Sequence, residues 1–425
     1  MKKLFWFLNV LTLALLFTHC ANDDNLDIDP DTGNDDPIII DGGNNNGNGG
    51  NTVDALDDRA LPLTVAAPND NPTTNAKIEL GRLLFYDPIL SGGEDVACAT
   101  CHHPQFGYAD GRELSIGVGG VGLGPNRVDA VNNDGIGLIQ RNAPTVINTG
   151  FNGMQENGSY IPDAAPMFWD NRTLSLEAQA LGPILSFEEM RGHAYEEDVA
   201  LDVVVGRLNS IPEYRNRFQN VFGGGANAIN SDNIGRALAT FQRSIVANDS
   251  PFDRYARGDE NAMTQQQIDG MQRFDQVGCA DCHSGPMFSD YELHVLAVPD
   301  NQDLGFSDTG ANGTYAFRTP TLRNLDETGP YFHNGVAGNL NQVLNFYRRI
   351  QGGPGGGGPG GGGGGLNPNP NVPNNQIAQD ARQLNLRQND INDIIAFLDA
   401  LNDDDFDRII PNSVPSGLQV GGNID

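Results

Sequence analysis

Cys98-Ala99-Thr100-Cys101-His102 and Cys279-Ala280-Asp281-Cys282-His283 are two copies of one five-residue pattern. Cys-x-x-Cys-His is the attachment motif of c-type haem. Two thiols three residues apart add across the two vinyl groups of one porphyrin, and the following His swings under the ring to bind iron as proximal ligand. A zinc site and a redox dithiol are the competing readings. Zinc motifs separate their Cys pairs by about 15–20 residues, far less than the stretch from Cys101 to Cys279. Neither alternative needs a His in the fifth place, twice. The pattern predicts two covalent haems, held by Cys98, Cys101 and His102 and by Cys279, Cys282 and His283.

Working outward, each motif follows a stretch with apolar residues at helical spacing. Ala76 to Tyr86 carries Ile78, Leu80, Leu83 and Leu84; Thr264 to Gln276 carries Ile268, Met271 and Phe274. Each unit then runs into a Gly- and Pro-rich loop. The expected fold is mainly α, with two cytochrome c domains, each with one covalent haem, joined around an interdomain interface. Asn248-Asp249-Ser250-Pro251 breaks a helical run from Asn233 to Val246, so the domains are expected over 59–250 and 251–411. A last helix is expected from Asn389 to Leu401, with Ile391, Ile394, Ile395, Leu398 and Leu401 on one face. A C-terminal tail covers 412–425. Residues 352–365 are 12 Gly and 2 Pro, expected to be a disordered surface loop without chemistry.

The 425 residues include 25 Lys and Arg against 55 Asp and Glu, a net charge of −30. Such acidity excludes a nucleic-acid binder, which needs a basic stripe, and an electrostatic hold on anionic lipid. Met1-Lys2-Lys3 followed by apolar Leu4 to Phe17 is too short to span a bilayer, which takes ~20 residues, and fits a secretory signal. Phe17-Thr18-His19-Cys20 resembles a lipoprotein cleavage box, although Phe17 and His19 stand where Leu and a small residue are usual. The expectation is a leader over 1–20 with Cys20 lipidated; ordinary cleavage near this point is the alternative. Residues 21–58, rich in Asp, Asn and Gly, read as a flexible tether. The protein is thus expected to be exported to the periplasm and to meet the membrane only through a lipid anchor.

Beyond the haem motifs, several segments resemble the bacterial dihaem cytochrome c peroxidases and their relative MauG, the tryptophan tryptophylquinone-forming enzyme. They lie between Lys77 and Leu401. They are Leu80-Gly81-Arg82-Leu83-Leu84-Phe85-Tyr86-Asp87-Pro88, Arg141-Asn142-Ala143-Pro144-Thr145, Phe168-Trp169-Asp170-Asn171-Arg172, Gln179-Ala180-Leu181-Gly182-Pro183, Arg318-Thr319-Pro320-Thr321-Leu322-Arg323-Asn324 and Pro330-Tyr331-Phe332-His333-Asn334-Gly335. The resemblance implies reduction of hydrogen peroxide to water at the N-terminal haem, with electrons passing through the C-terminal haem from a small donor such as a cytochrome c or cupredoxin. It implies that Gln179 and Glu189 line the distal side of the first haem, with Glu189 as acid/base and Pro183 in the pocket wall. It also implies that Trp169 bridges the haems. A homodimer is allowed.

Two departures from the family pattern matter. Many dihaem peroxidases cap the resting first haem with a loop His; the matching stretch here is Leu114 to Gly119, and Val118 holds that place. His103 is beside the proximal ligand and on the wrong side of the ring. An open first haem, as in MauG, is expected. The usual Met ligand of the second haem is also missing, since no Met lies beyond Met287. Tyr347 occupies the matching place, as in MauG, and an oxygen ligand lowers a haem's potential. The family's calcium implies Asn142 by its side chain and Thr328 and Pro330 by their carbonyls, oxygen donors that suit a hard cation. Three activities stay open: a peroxidase, a MauG-like oxidase of a partner protein or organic substrate, and a dihaem electron carrier.

Overall fold

The computed structural model describes residues 57–131, 134–351 and 365–425. The leader, Cys20, the tether up to residue 56 and the Gly-rich stretch 352–364 lie outside the described residues.

One construction occurs twice. The helix Asn75–Tyr86 starts at Thr74, whose side chain accepts from the Lys77 N–H, and ends against Pro88. It crosses the helix Ser231–Ser244. At the crossing a Cβ on Gly81 would lie 2.0 Å from the Ala237 carbonyl oxygen and 2.8 Å from the Phe241 Cβ. Only glycine lets the backbones meet that closely. The helix Gln265–Val277 starts in a capping box between Thr264 and Gln267. It stops at Gly278 with φ 97°, which ends the helix without Cβ strain. It crosses the helix Ile391–Asp399, and there a Cβ on Gly270 would lie 1.9 Å from the Asp393 carbonyl oxygen and 3.0 Å from the Phe397 Cβ. Each crossing thus uses the carbonyl of one residue and the Cβ four residues on. Each pair packs under a Cys-x-x-Cys-His motif. One apolar core holds Leu80, Leu84, Phe85, Tyr108, Leu238 and Phe241; another holds Phe252, Phe274, Phe288, Leu344, Ile394 and Phe397.

The helices Ala200–Ser210 and Pro212–Phe222 thicken the first half. The only strands among the described residues form three two-stranded antiparallel pairs. The longest joins Leu293–Val295 to Ala316–Arg318, with Leu293 opposite Arg318.

The two ends of the described chain cross over. Near the start, the Leu61 N–H donates to Asp253 at 2.9 Å and Arg59 pairs with Asp275 at 2.9 Å, both in the second half. Near the end, the Ser416 hydroxyl donates to Asp87 at 2.7 Å, the Gly421 N–H to the Tyr86 carbonyl at 2.7 Å, and Arg127 to the Asn423 carbonyl at 2.9 Å, all in the first half. Val414 joins the first core. The tail over 412–425 is packed.

Candidate active site

Both motifs open onto one cavity of about 800 Å³, and its lining includes Cys98, Cys101 and His102 as well as Cys279, Cys282 and His283. The one-turn helix Cys98–Cys101 places the first pair of thiols, and the turn Cys279–Asp281 the second. All four thiols are unpaired with one another. His102 Nδ1 lies 3.0 Å from the Tyr108 carbonyl, and His283 Nδ1 lies 2.9 Å from the Phe288 carbonyl. A carbonyl only accepts, so each Nδ1 carries the proton and each Nε2 keeps its lone pair for a metal. Burial also holds both imidazoles below their usual pKa, which keeps them neutral. Burial pushes the Cys98 and Cys279 thiols up to about 12, so they are protonated until thioether formation removes the titration. The donor set and the shared apolar cavity fit two covalent haems.

Gln179, Pro183, Glu189 and Trp169 all line this cavity, and Glu189 is near enough to the Cys98 and Cys101 thiols for its charge to act on them. Gln179 ends the short helix Leu176–Gln179, capped by the Ser175 side chain, and Pro183 sits in the turn Gly182–Leu185. Glu189 is in a π-helical turn, Phe187–Arg191, a rare geometry found mostly at functional sites. Burial raises its pKa above the ordinary carboxyl range; nearby Arg172 opposes that rise, the Glu188 charge adds to it, and a hydrogen bond from Ser186 opposes it. The loop bearing Val118 lies directly on this turn. A Cβ on Gly117 would be 2.2 Å from the Glu188 carbonyl oxygen and 2.4 Å from that of Glu189, and the Val118 N–H donates to Glu188 at 3.1 Å. Val118 faces Gly192 and is absent from the cavity lining. Among the described residues the lining histidines are His102, His283, His294 and His333. His103 is turned elsewhere, its Nδ1 accepting from the Gln105 N–H.

A di-haem cytochrome c peroxidase family model matches residues 75–261. The chain is 37% identical over 297 residues to the methylamine utilization protein MauG of Methylorubrum extorquens, covering 69% of this chain and 73% of the relative. This chain belongs to the di-haem cytochrome c peroxidase family. It is also 32% identical over 345 residues to the cytochrome c peroxidase Ccp of Escherichia coli, covering 79% of this chain and 60% of that one. A crystal structure of a MauG-like protein associated with microbial copper homeostasis superposes with a TM-score of 0.61 at 25% identity, over 81% of this chain and 95% of that one. The family is one of oxidoreductases, and its named members include both peroxidases and MauG.

In this family member Trp169 is tied to both halves. Its Nε1 donates to the Asn142 carbonyl at 2.9 Å, and its own carbonyl accepts from the Arg318 N–H at 2.7 Å. Tyr347, on the helix Leu340–Ile350, lines the cavity near Cys279 and Cys282, with Phe332 and Phe346 against its ring. Burial pushes its phenol pKa up, and thiolates at Cys279 and Cys282 would push it further. Asn142, Thr328 and Pro330 line the same cavity. The Asn142 Nδ2 donates to the Arg112 carbonyl at 2.7 Å.

The sequence did not single out two other clusters in the lining. Arg141 is held between Asp308 at 2.6 Å and Asp170 at 2.8 Å, beside His333, which stacks on Phe317 at 3.6 Å. Burial drives the His333 pKa well below that of a free imidazole; Asp308 opposes the fall and Arg141 adds to it. The quoted Arg141-Asn142 and His333 segments were the available signal, but only a fold brings them together. Next to Cys282, His294 pairs with Asp290 at 2.8 Å, and these three are the one group of potential metal-ligating side chains found among the described residues. With the Cys282 sulfur committed to haem, the remainder is an ion pair, in which the hydrogen bond to Asp290 raises the His294 pKa.

Proposed function

We propose that the protein is a dihaem peroxidase that reduces hydrogen peroxide to water at the first motif, with electrons arriving through the second from a small cytochrome c or cupredoxin. Each half is read as one cytochrome c domain, 59–250 and 251–411. The observation that carries the reading is Glu189, a cavity-lining carboxyl group with a raised pKa whose charge reaches the Cys98 and Cys101 thiols. The haems, when bound, supply one-electron chemistry and the iron at which the peroxide O–O bond breaks. Each turnover consumes two electrons and two protons. Glu189 takes the proton from the near peroxide oxygen and delivers it to the far one; a base of raised pKa is suited to both halves of that task. Gln179 orients the peroxide by its amide, and Pro183 walls the pocket. Trp169 lies on the route between the motifs. The side-chain oxygen of Asn142 and the carbonyls of Thr328 and Pro330 are read as calcium ligands. The protein is read as periplasmic and lipid-tethered at Cys20, on the strength of its N-terminal sequence.

Electron paramagnetic resonance of the resting diferric protein, repeated after one equivalent of peroxide, tests this. One high-spin and one low-spin signal, both lost rapidly on peroxide, are expected. Two low-spin signals, unresponsive until one haem is reduced, overturn the always-open site.

Val118 and Tyr347 favour a second reading, a MauG-like oxidase of a partner protein or organic substrate. Steady turnover with reduced cytochrome c supports the peroxidase. A long-lived oxidised state that cytochrome c reduces poorly supports the oxidase. Tyr347→Phe should change the low-spin spectrum; an unchanged spectrum removes Tyr347 as a ligand.

A further inference from the structure

Pro144-Thr145-Val146-Ile147-Asn148 and Pro320-Thr321-Leu322-Arg323-Asn324 repeat each other, and neither contains a cysteine or histidine. They build the same device under the two motifs. The Thr145 hydroxyl donates to the Gly107 carbonyl at 2.6 Å, and the Thr321 hydroxyl to the Met287 carbonyl at 2.8 Å. In each case the next residue is an aromatic in the left-handed region, Tyr108 at φ 54° and Phe288 at φ 50°. Bulky side chains avoid that region. Both rings are fully buried, and the carbonyls of these same two residues accept the His102 and His283 Nδ1 protons. The carbonyls of Pro144 and Pro320 face the same imidazoles.

Each run is also anchored at its far end. Each Thr oxygen accepts the N–H two residues on, from Ile147 at 3.0 Å and Arg323 at 3.2 Å. Asn148 and Asn324 are left-handed, at φ 62° and 58°. Their N–H groups donate to Ile245 and Leu401 at 2.9 and 3.3 Å, and their amides to Ala247 and Asp403, both at 2.7 Å. Those carbonyls follow the last helix of each half. The strained carbonyl that meets each histidine is thus fixed to a crossing helix through Pro, Thr and Asn.

We propose that the two Pro-Thr-x-x-Asn runs are clamps on the proximal imidazoles, with Thr145 and Thr321 as positioning residues that set the Nδ1 hydrogen bond and hence the potential of each iron. A firm bond from Nδ1 raises the basicity of Nε2 and favours the oxidised metal, lowering the potential. The second clamp has an extra brace: Arg323 Nε donates to the Pro286 carbonyl at 2.6 Å, whereas Ile147 stands in the same place of the first. The proposal rests on His102 and His283 as proximal ligands. Two haems with histidine-ligated spectra in the unaltered protein test that premise separately.

The test is Thr145→Val, Thr321→Val and the two Ser variants, each as haem-loaded full chain, read by spectroelectrochemical titration of both haems. Each Val variant should raise the midpoint potential of its own haem and leave the other unchanged, and each Ser variant should restore it. Unchanged potentials, or equal shifts at both haems, overturn the proposal. If a Val variant fails to load its haem, Ala is read in its place. Failure of Val and Ala with normal potential in Ser supports the clamp. Failure of Ser as well overturns it, because the site then needs the Thr shape and not its hydroxyl.

Discussion

Replacing Arg323 with Met would break a charge pair whose side chains are 1% and 0% exposed. The guanidinium meets Asp253 through both Nη atoms, at 2.8 and 3.0 Å, and also donates to the Pro286 and Arg59 carbonyls at 2.6 and 3.2 Å. Met fills the volume of the stem and removes all four bonds. Asp253 then keeps only the Leu61 and Ser250 N–H groups and the Ser250 hydroxyl. Removing one partner of a buried pair costs about 3–5 kcal/mol, because a charge stays behind unpaired. A neutral orphan costs only about 1–3 kcal/mol. Adding Asp253→Asn, which keeps an oxygen for Leu61, should therefore recover about 2 kcal/mol. A domain's whole stability is about 5–15 kcal/mol, so the single variant should shift urea unfolding strongly. The assay is urea unfolding of the haem-loaded protein, followed by circular dichroism and haem absorbance. A loss below about 1 kcal/mol for Arg323→Met, or no recovery with Asp253→Asn, would refute the reasoning that the charge, and not the packing, carries the cost.

Glu189→Gln should slow the reaction with peroxide by about 10²–10⁴-fold, the usual worth of a positioned acid/base, measured by stopped-flow absorbance. Burial raises the folded pKa of Glu189, so the folded state binds its proton more tightly than the unfolded chain. Its penalty on stability is full above the folded pKa and fades as pH falls toward the unfolded value. The Gln variant should thus unfold at a higher temperature than the parent at pH 7.5, with the gain shrinking at pH 5; a constant difference would sink that account. In the parent, the peroxide rate should fall as pH drops through the raised pKa. Deleting residues 412–425 removes Val414, Leu418 and Val420 from the first core and three anchors on Asp87, Tyr86 and Arg127. The expected loss is at least about 3 kcal/mol, with a perturbed first-haem spectrum; an unshifted unfolding midpoint would contradict it.

The haem motifs were legible because covalent chemistry fixes their spacing, and the helices Asn75–Tyr86 and Gln265–Val277 because their buried faces recur at helical period. The glycines at their crossings carried no such signal, since only a partner backbone explains Gly81 and Gly270. The turn bearing Glu189 has a π geometry, which no apolar period marks. Tyr108 and Phe288 stand at positive φ, where sequence favours glycine or asparagine, so their role could not be read from residue type. The crossed ends rest on bonds between irregular segments, such as Leu61 to Asp253, that leave no local pattern.

Those crossed ends make the first motif depend on residues far down the chain. Thr100 lies between the cysteines of the first motif, and its hydroxyl donates to the Gly421 carbonyl at 2.8 Å, 321 residues later in the chain. Tyr108, whose carbonyl steadies His102, donates its own hydroxyl to the Asp407 carbonyl at 2.6 Å. Synthesis delivers the N-terminus first, so the first motif emerges with part of its outer wall still to come. A chain cut short near its end would therefore forfeit the site nearest its beginning.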